Sequence, residues 1–133
     1  MQLSDAEWIV MKLIWDSQPT EASDVIAALG TDNEWSDATV KTMLHRLVKK
    51  GALTTEQIGK KYRYTAAVRR SACVRNASRS FLDRVFGGNA APALLHLVKT
   101  TKLSEDDLEQ LRDLLDSKSK STSKDHQNKG SKE

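Results

Sequence analysis

Apolar side chains recur at helical spacing in three segments of the N-terminal half. The most regular segment follows Ser36, which is predicted to cap a helix, and its apolar residues occupy positions i, i+3, i+4, i+7 and i+8 of one helical face. These residues are Val40, Met43, Leu44, Leu47 and Val48. Upstream, "LSDAEWIVMKLIW" predicts a helix capped by Ser4, with Glu7 completing a capping box. "EASDVIAALG" predicts a second, shorter helix capped by Thr20.

The pattern changes after Gly51, which is placed to end the third helix. "ALTTEQI" and "YRYTA" predict two strands, and Gly59-Lys60-Lys61 between them predicts a hairpin turn. Three further helices are predicted, over Val68 to Phe86, in "APALLHLVKT" and over the leucine-striped segment from Ser104 to Asp116. Residues 117–133 are almost entirely polar, which predicts a disordered tail.

This order of elements indicates a fold class. Three helices followed by a two-stranded hairpin is the order of a winged helix-turn-helix, whose third helix enters the major groove of DNA. The chain is therefore predicted to be mostly α with a small β-hairpin. We assign residues 1–67 to a winged-helix DNA-binding domain, 68–116 to a helical domain and 117–133 to the polar tail.

The net charge of +3 conceals a strong asymmetry along the chain. Residues 1–36 hold seven acidic and one basic side chain, whereas residues 37–84 hold twelve basic and three acidic ones. A basic segment inside a nearly neutral chain indicates a surface for a polyanion. The alternative is a solvated, lysine-rich surface without a partner.

The third helix and the hairpin supply the candidate contacts to double-stranded DNA. Threonine can donate, accept or touch a thymine methyl group, and Arg or Lys can bind guanine or phosphate. Hairpin cations would contact the backbone, which positions a protein without reading sequence. The candidate residues are Thr39, Lys41, Thr42, His45, Arg46 and Lys49 on the helix, and Lys60, Lys61 and Arg63 on the hairpin.

Other classes of function have less support in the sequence. The chain has no Gly-rich phosphate loop, no H-E-x-x-H motif and no nucleophile with a base at motif spacing, so an enzyme is not predicted. Cys73 is the single cysteine, so neither a cysteine metal cluster nor a cofactor is expected. A winged helix that binds proteins is the alternative, but the cores of protein interfaces are depleted in charge.

The expected location is the cytoplasm, without membrane contact. The N-terminus is acidic rather than basic and then apolar, so a signal peptide is not predicted. No apolar run approaches the roughly 20 residues that cross a bilayer.

The chain resembles the BlaI/MecI/CopY family of bacterial repressors. The matching segments are "LSDAEWIVMKLIW", "EWSDATVKTMLHRLVKKGALT", "GKKYRYTA", "SFLDRVFGG" and "LSEDDLEQLRDLL", so the resemblance spans about residues 3–116. It implies a winged helix followed by a helical dimerisation domain, and a homodimer on a dyad-symmetric operator. Thr39, Lys41, Thr42 and Arg46 match the positions that face the major groove, and Lys60 and Lys61 match the wing tip.

The resemblance also implies which residues form the dimer. The apolar residues that match the interface are Phe81, Leu82, Val85, Leu94, Leu95, Leu97, Val98, Leu108, Leu111 and Leu115. The length of this segment also favours a dimer, because the roughly 50 ordered residues after the hairpin are too few to bury their leucine stripes alone. An intramolecular core is the alternative for these leucines.

Two branches of this family differ in how repression is relieved. Penicillinase-type repressors are cleaved at an Asn-Phe bond downstream of a β-lactam receptor, and His96-Leu97 stands at that position here. Copper-responsive repressors carry a Cys-x-Cys cluster, since soft thiolates suit Cu(I). The "SKSKSTSKDHQNKGSKE" tail has no cysteine. The resemblance therefore implies a protease of a sensing pathway as a further partner.

Overall fold

The computed structural model describes the backbone of residues 1–128 and the side chains of residues 1–121. Within that part of the chain there are six helices and three strands. Their bounds are α1 Asp5–Ser17, β1 Thr20–Glu21, α2 Ala22–Leu29, α3 Asp37–Lys50, β2 Leu53–Ile58, β3 Lys61–Ala66, α4 Arg70–Phe86, α5 Ala90–Thr100 and α6 Glu105–Asn128. The predicted mostly helical architecture with a small β-sheet is confirmed.

Helices α1 and α3 begin at the serine caps that the sequence predicts. The Ser4 hydroxyl accepts from the Glu7 N–H at 3.2 Å, and Glu7 Oε1 accepts from the Ser4 N–H at 2.9 Å. This is the predicted capping box. Ser36 caps α3 by accepting from the Thr39 N–H at 3.1 Å. Gly51 ends α3 with φ of +86°, a conformation that costs glycine little.

The second helix starts differently from its prediction. Thr20 does not cap it. Thr20 and Glu21 form strand β1, and the Glu21 N–H donates to Asp24 at the start of α2. The Thr20 hydroxyl instead donates to the carbonyl oxygen of Ser17 at 3.0 Å, and the residue is buried. A strand of two residues has no periodicity of its own, so only its pairing partner reveals it.

The predicted hairpin is therefore part of a three-stranded antiparallel sheet in the order β1-β3-β2. Residues 53–58 of β2 pair with 61–66 of β3, and the turn between them contains Gly59 with φ of +64°. Thr20 and Glu21 pair with Tyr64 and Arg63 on the other side of β3.

One apolar core holds the first three helices to the sheet. The core takes its side chains from α1, α2, α3 and the start of β2. Four of the five apolar residues predicted on the inner face of α3 are fully or nearly buried, and the fifth, Val48, packs at the edge. The buried members are Val10, Met11, Ile14, Val25, Val40, Met43, Leu44, Leu47, Ala52 and Leu53.

The chain divides into two compact units, Met1–Gly88 and Asn89–Glu133. Helix α4 belongs to the first unit, where the Trp15 indole N–H donates to the Val68 carbonyl at 3.0 Å just before the helix. The predicted domain boundary after residue 67 stays a prediction.

The second unit contains α5 and α6. Ser104 caps α6 by accepting from the Asp107 N–H at 3.1 Å, at the predicted start of this helix. The helix continues to Asn128, beyond the predicted end at Asp116, so the polar segment is helical up to that residue. The segment lacks Gly and Pro before Gly130, and a change to polar composition alone does not end a helix. The rest of the predicted tail lies outside the described residues.

A buried carboxylate joins the start of α1 to the end of α3. Glu7 is 5% exposed, and its Oε1 accepts from Lys50 Nζ, which also donates to the Gln2 carbonyl oxygen. Burial raises the pKa of Glu7, but hydrogen bonds from Lys50 and Ser4 and the charge of Lys50 outweigh it, so the pKa is lowered. The pair fixes the C-terminal end of α3 against α1.

We expect Glu7→Gln to lower the free energy of unfolding by about 1–2 kcal/mol at pH 7, since it removes a charged hydrogen bond to a half-exposed lysine. Because the pKa of Glu7 is lower in the folded than in the unfolded state, the ionised carboxylate stabilises the fold above the unfolded pKa of 4.5. This contribution to stability is lost as the pH falls through the folded pKa. Urea unfolding at pH 7 and pH 3 tests this. The difference between the wild type and the variant should shrink at pH 3, whereas Asp16→Asn, exposed on the same helix, should have little effect.

Candidate nucleic-acid interface

The outer face of α3 is exposed and basic. The core side chains occupy one side of this helix, so the residues between them point to solvent. Every predicted contact on the helix is exposed: Thr39, Lys41, Thr42, His45, Arg46 and Lys49. Asp37 is the one acidic residue of α3 and lies in its first turn. The helix therefore presents a continuous surface of donors and positive charge.

Lys60 and Lys61 lie at the tip of the hairpin. Lys60 follows Gly59 in the turn, and Lys61 begins β3. Both side chains are exposed, as a contact to a phosphate backbone requires. Lys61 also lies 3.7 Å from the Glu21 carboxylate of β1, a neighbour that the sequence did not predict.

Arg63 has a different setting from the two lysines. It lies opposite Glu21 of β1 and opposite Glu56 of β2. Directly opposed residues share one face of a sheet, so Arg63 stands between two carboxylates. Strand alternation places it on the other face from Tyr64, which packs against the core.

A groove of about 850 Å³ separates α3 from the hairpin. Lys41 and His45 line its helical wall, and Lys60 and Lys61 line its hairpin wall. The fold thus brings predicted contacts from two distant segments to one cleft. Tyr64 lies in the same groove, and burial raises the pKa of its phenol, so the group stays neutral at physiological pH.

A second exposed surface is apolar. In the first unit, Phe81 is 38% and Val85 is 57% exposed near the end of α4, while Leu82 is half-buried. Phe81 also contacts Phe86 edge to face, with ring centroids 5.8 Å apart. These side chains are the predicted interface residues of α4.

In the second unit, α5 is exposed over most of its apolar surface. Leu95 is 61% exposed and Leu115 of α6 is 60% exposed, whereas Leu108 and Leu111 are half-buried. Leu114, which is not among the predicted interface residues, is 63% exposed. The predicted residues of α5 that are exposed are Leu94, Leu95, Leu97 and Val98. A helix this apolar is rarely left in contact with water.

The described residues contain no group of three His, Cys, Asp or Glu side chains arranged to hold a metal ion. Cys73 is buried in α4, and burial raises the pKa of its thiol, which lowers its reactivity. None of the described helices combines the length and apolar character needed to cross a membrane.

Comparisons with known proteins agree with this geometry. The family model described as penicillinase repressor matches residues 3–117. The penicillinase repressor of Bacillus licheniformis is 36% identical over 115 residues, which are 86% of this chain and 90% of that protein. The methicillin resistance regulatory protein MecI of Mammaliicoccus sciuri is 32% identical over 117 residues, 88% of this chain and 95% of that protein.

A solved structure covers about half of this chain. The DNA-binding domain of the repressor BlaI is 43% identical and superposes with a TM-score of 0.50, covering 53% of this chain and 85% of that domain. The exposed basic helix, the hairpin and the family match over most of the chain agree on one class of protein. The chain belongs to the penicillinase repressor family, whose members are DNA-binding transcriptional repressors and not enzymes.

Proposed function

We propose that this protein represses transcription by binding a dyad-symmetric operator as a homodimer. Helix α3 lies in the major groove, with Thr39, Lys41, Thr42 and Arg46 nearest the bases. The hairpin contacts the adjacent phosphate backbone through Lys60 and Lys61. The second protomer places its own α3 one helical turn or a multiple of it along the same face of the duplex.

The exposed outer face of α3 carries this proposal. Its inner face is packed in the core, and its C-terminal end is pinned by the Glu7–Lys50 ion pair, so the helix is a rigid element. A binding surface on a rigid helix loses little conformational freedom when DNA binds. The cations of the groove then lie on both sides of any phosphate strand that enters it.

The apolar surface supports the homodimer. Exposed leucine and valine side chains on α5 and α6 would bury against the same surface of a second copy, since a two-fold interface uses one patch twice. Such burial contributes roughly 25 cal/mol for each Å² of apolar surface removed from water. A dimer also doubles the DNA contact, which raises affinity well beyond that of one half-site.

A footprint on the DNA upstream of the protein's own gene tests the proposal. We expect protection of a palindromic site whose affinity falls steeply as salt rises, because phosphate contacts release counterions. The absence of any protected site at low salt would contradict the proposal. It would favour the alternative in which the winged helix binds a protein.

Relief of repression can be examined in the same assay. We expect neither Cu(I) nor Zn(II) to release the DNA, because the chain has a single cysteine, and it is buried. Cleavage by a protease of a sensing pathway is then the other way of relieving repression that the resemblance implies. His96 and Leu97 lie inside α5, so cleavage there requires that helix to open locally.

A further inference from the structure

An ion pair links the tip of the hairpin to strand β1. Lys61 Nζ lies 3.7 Å from Glu21 Oε2. The Lys61 side chain is 72% exposed, whereas that of Glu21 is 26% exposed. The lysine is thus free to move between partners, while the carboxylate is held close to the protein surface.

Strand pairing and a hydrogen bond fix the backbone of Glu21. Glu21 pairs with Arg63 in the sheet, and its N–H donates to Asp24 Oδ2 at 3.2 Å. The residue also lies at the start of α2, so its position is set by both a strand and a helix. Glu21 is one of the residues that border the groove, together with Lys41, Lys60 and Lys61.

A carboxylate beside a hairpin lysine has a predictable electrostatic effect on DNA binding. An exposed ion pair adds little to folding stability, so structural support is a weak reason for this contact. A phosphate that approaches Lys61, however, must compete with Glu21 for the ammonium group and is repelled by the carboxylate. Both effects weaken the contact of the hairpin with any duplex, whatever its sequence.

We propose that Glu21 competes with the DNA backbone for Lys61 and thereby lowers the sequence-independent affinity of the hairpin for DNA. This inference rests on the proposed function, because it requires that the hairpin contacts phosphate. The benefit is physical: weaker non-specific binding leaves more protein free to find its operator among a large excess of other sites.

Glu21→Gln in the full chain tests the proposal. The variant should bind a random-sequence duplex at 50 mM salt roughly threefold more tightly, the effect expected when one charge near a phosphate is removed in water. The dependence of affinity on salt should also steepen by up to about 0.9, since Lys61 becomes available to one phosphate. Fluorescence anisotropy across a salt series measures both quantities.

Glu56→Gln is the matched control. Glu56 has the same chemistry, the same change of net charge and the same cross-strand neighbour, Arg63, but the described residues include no ion pair between it and Lys61. An equal gain in both variants would overturn the proposal and assign the effect to net charge. Glu21→Gln should also raise the affinity for random DNA less in the Lys61→Ala background than in the wild type. An undiminished gain in that background would overturn the proposal.

The binding measurements separate a failure of the proposed function from a failure of the role of Glu21. If the wild-type protein binds neither an operator nor random DNA, the proposed function fails. If the wild type binds but Glu21→Gln leaves affinity and salt dependence unchanged, only the role of Glu21 fails. Circular dichroism and thermal unfolding of each variant confirm that the fold is retained, so that an altered affinity reflects the groove.

Discussion

Leu94→Glu is expected to convert the dimer into monomers and to abolish tight operator binding. Leu94 is 56% exposed in the single chain, so the substitution leaves the fold of one protomer intact. In the proposed dimer the same side chain is buried, and a two-fold interface contains the substitution twice. Loss of two buried leucines weakens dimerisation by about 3 kcal/mol, or roughly a hundredfold, before the cost of burying charge.

Operator binding should fall with dimerisation, because the second half-site is bound at high effective concentration only when the protomers are linked. We expect a loss of about a hundredfold or more on the palindromic site, and little change on a single half-site. Sedimentation velocity and gel-shift titration, run on the same preparation, measure the two effects together.

Val74→Glu provides a control with the same chemistry. Val74 is 45% exposed on α4 but is not among the predicted interface residues. It should leave both the oligomeric state and operator affinity close to those of the wild type. A Leu94→Glu protein that remains dimeric would place the interface elsewhere and would favour an intramolecular role for the leucines of α5.

Arg46→Ala is expected to produce the second largest effect. Arg46 is exposed on the outer face of α3, opposite the buried side chains of that helix. Removing a guanidinium group that contacts a base costs about 1–3 kcal/mol, so operator affinity should fall roughly tenfold to a hundredfold. Alanine is at least as good a helix former as arginine, so thermal unfolding should be unaffected.

The kind of contact can be distinguished by binding to mutated operators. If Arg46 reads a base, Arg46→Ala should relax the preference at one position of each half-site. If it binds phosphate, the loss should be uniform across sequences, and the salt dependence should become shallower by about 1. The same measurements on Lys41→Ala would show which role that lysine has.

Lys12→Ala serves as the charge-matched control for both substitutions. Lys12 is exposed on α1, outside α3 and the hairpin, and its removal lowers the net charge by the same amount. Operator affinity should then change little. A loss equal to that of Arg46→Ala would indicate a general charge effect and would remove α3 from the recognition role.

Local chemistry was sufficient to predict most of the first unit. Residues close in sequence predicted three features of this unit correctly. These features are the caps at Ser4 and Ser36, the end of α3 at Gly51 and the buried stripe of α3. Caps and helical stripes involve residues only a few positions apart, so the sequence contains all the information they need. The exposed basic face of α3 follows directly, since it is the side of the helix that the core does not use.

The tertiary structure decided the features that join distant segments. Strand β1 exists only because Thr20 and Glu21 pair with β3, and Glu7 has an ion-pair partner only because the end of α3 brings Lys50 to it. The Glu21–Lys61 contact likewise joins residues forty positions apart. No local pattern encodes such a neighbour, because the pairing depends on how the whole chain packs. The sequence by itself determined which residues form most of the helices and which face of α3 is basic, and the packing decided that Lys61 lies within ion-pair distance of Glu21.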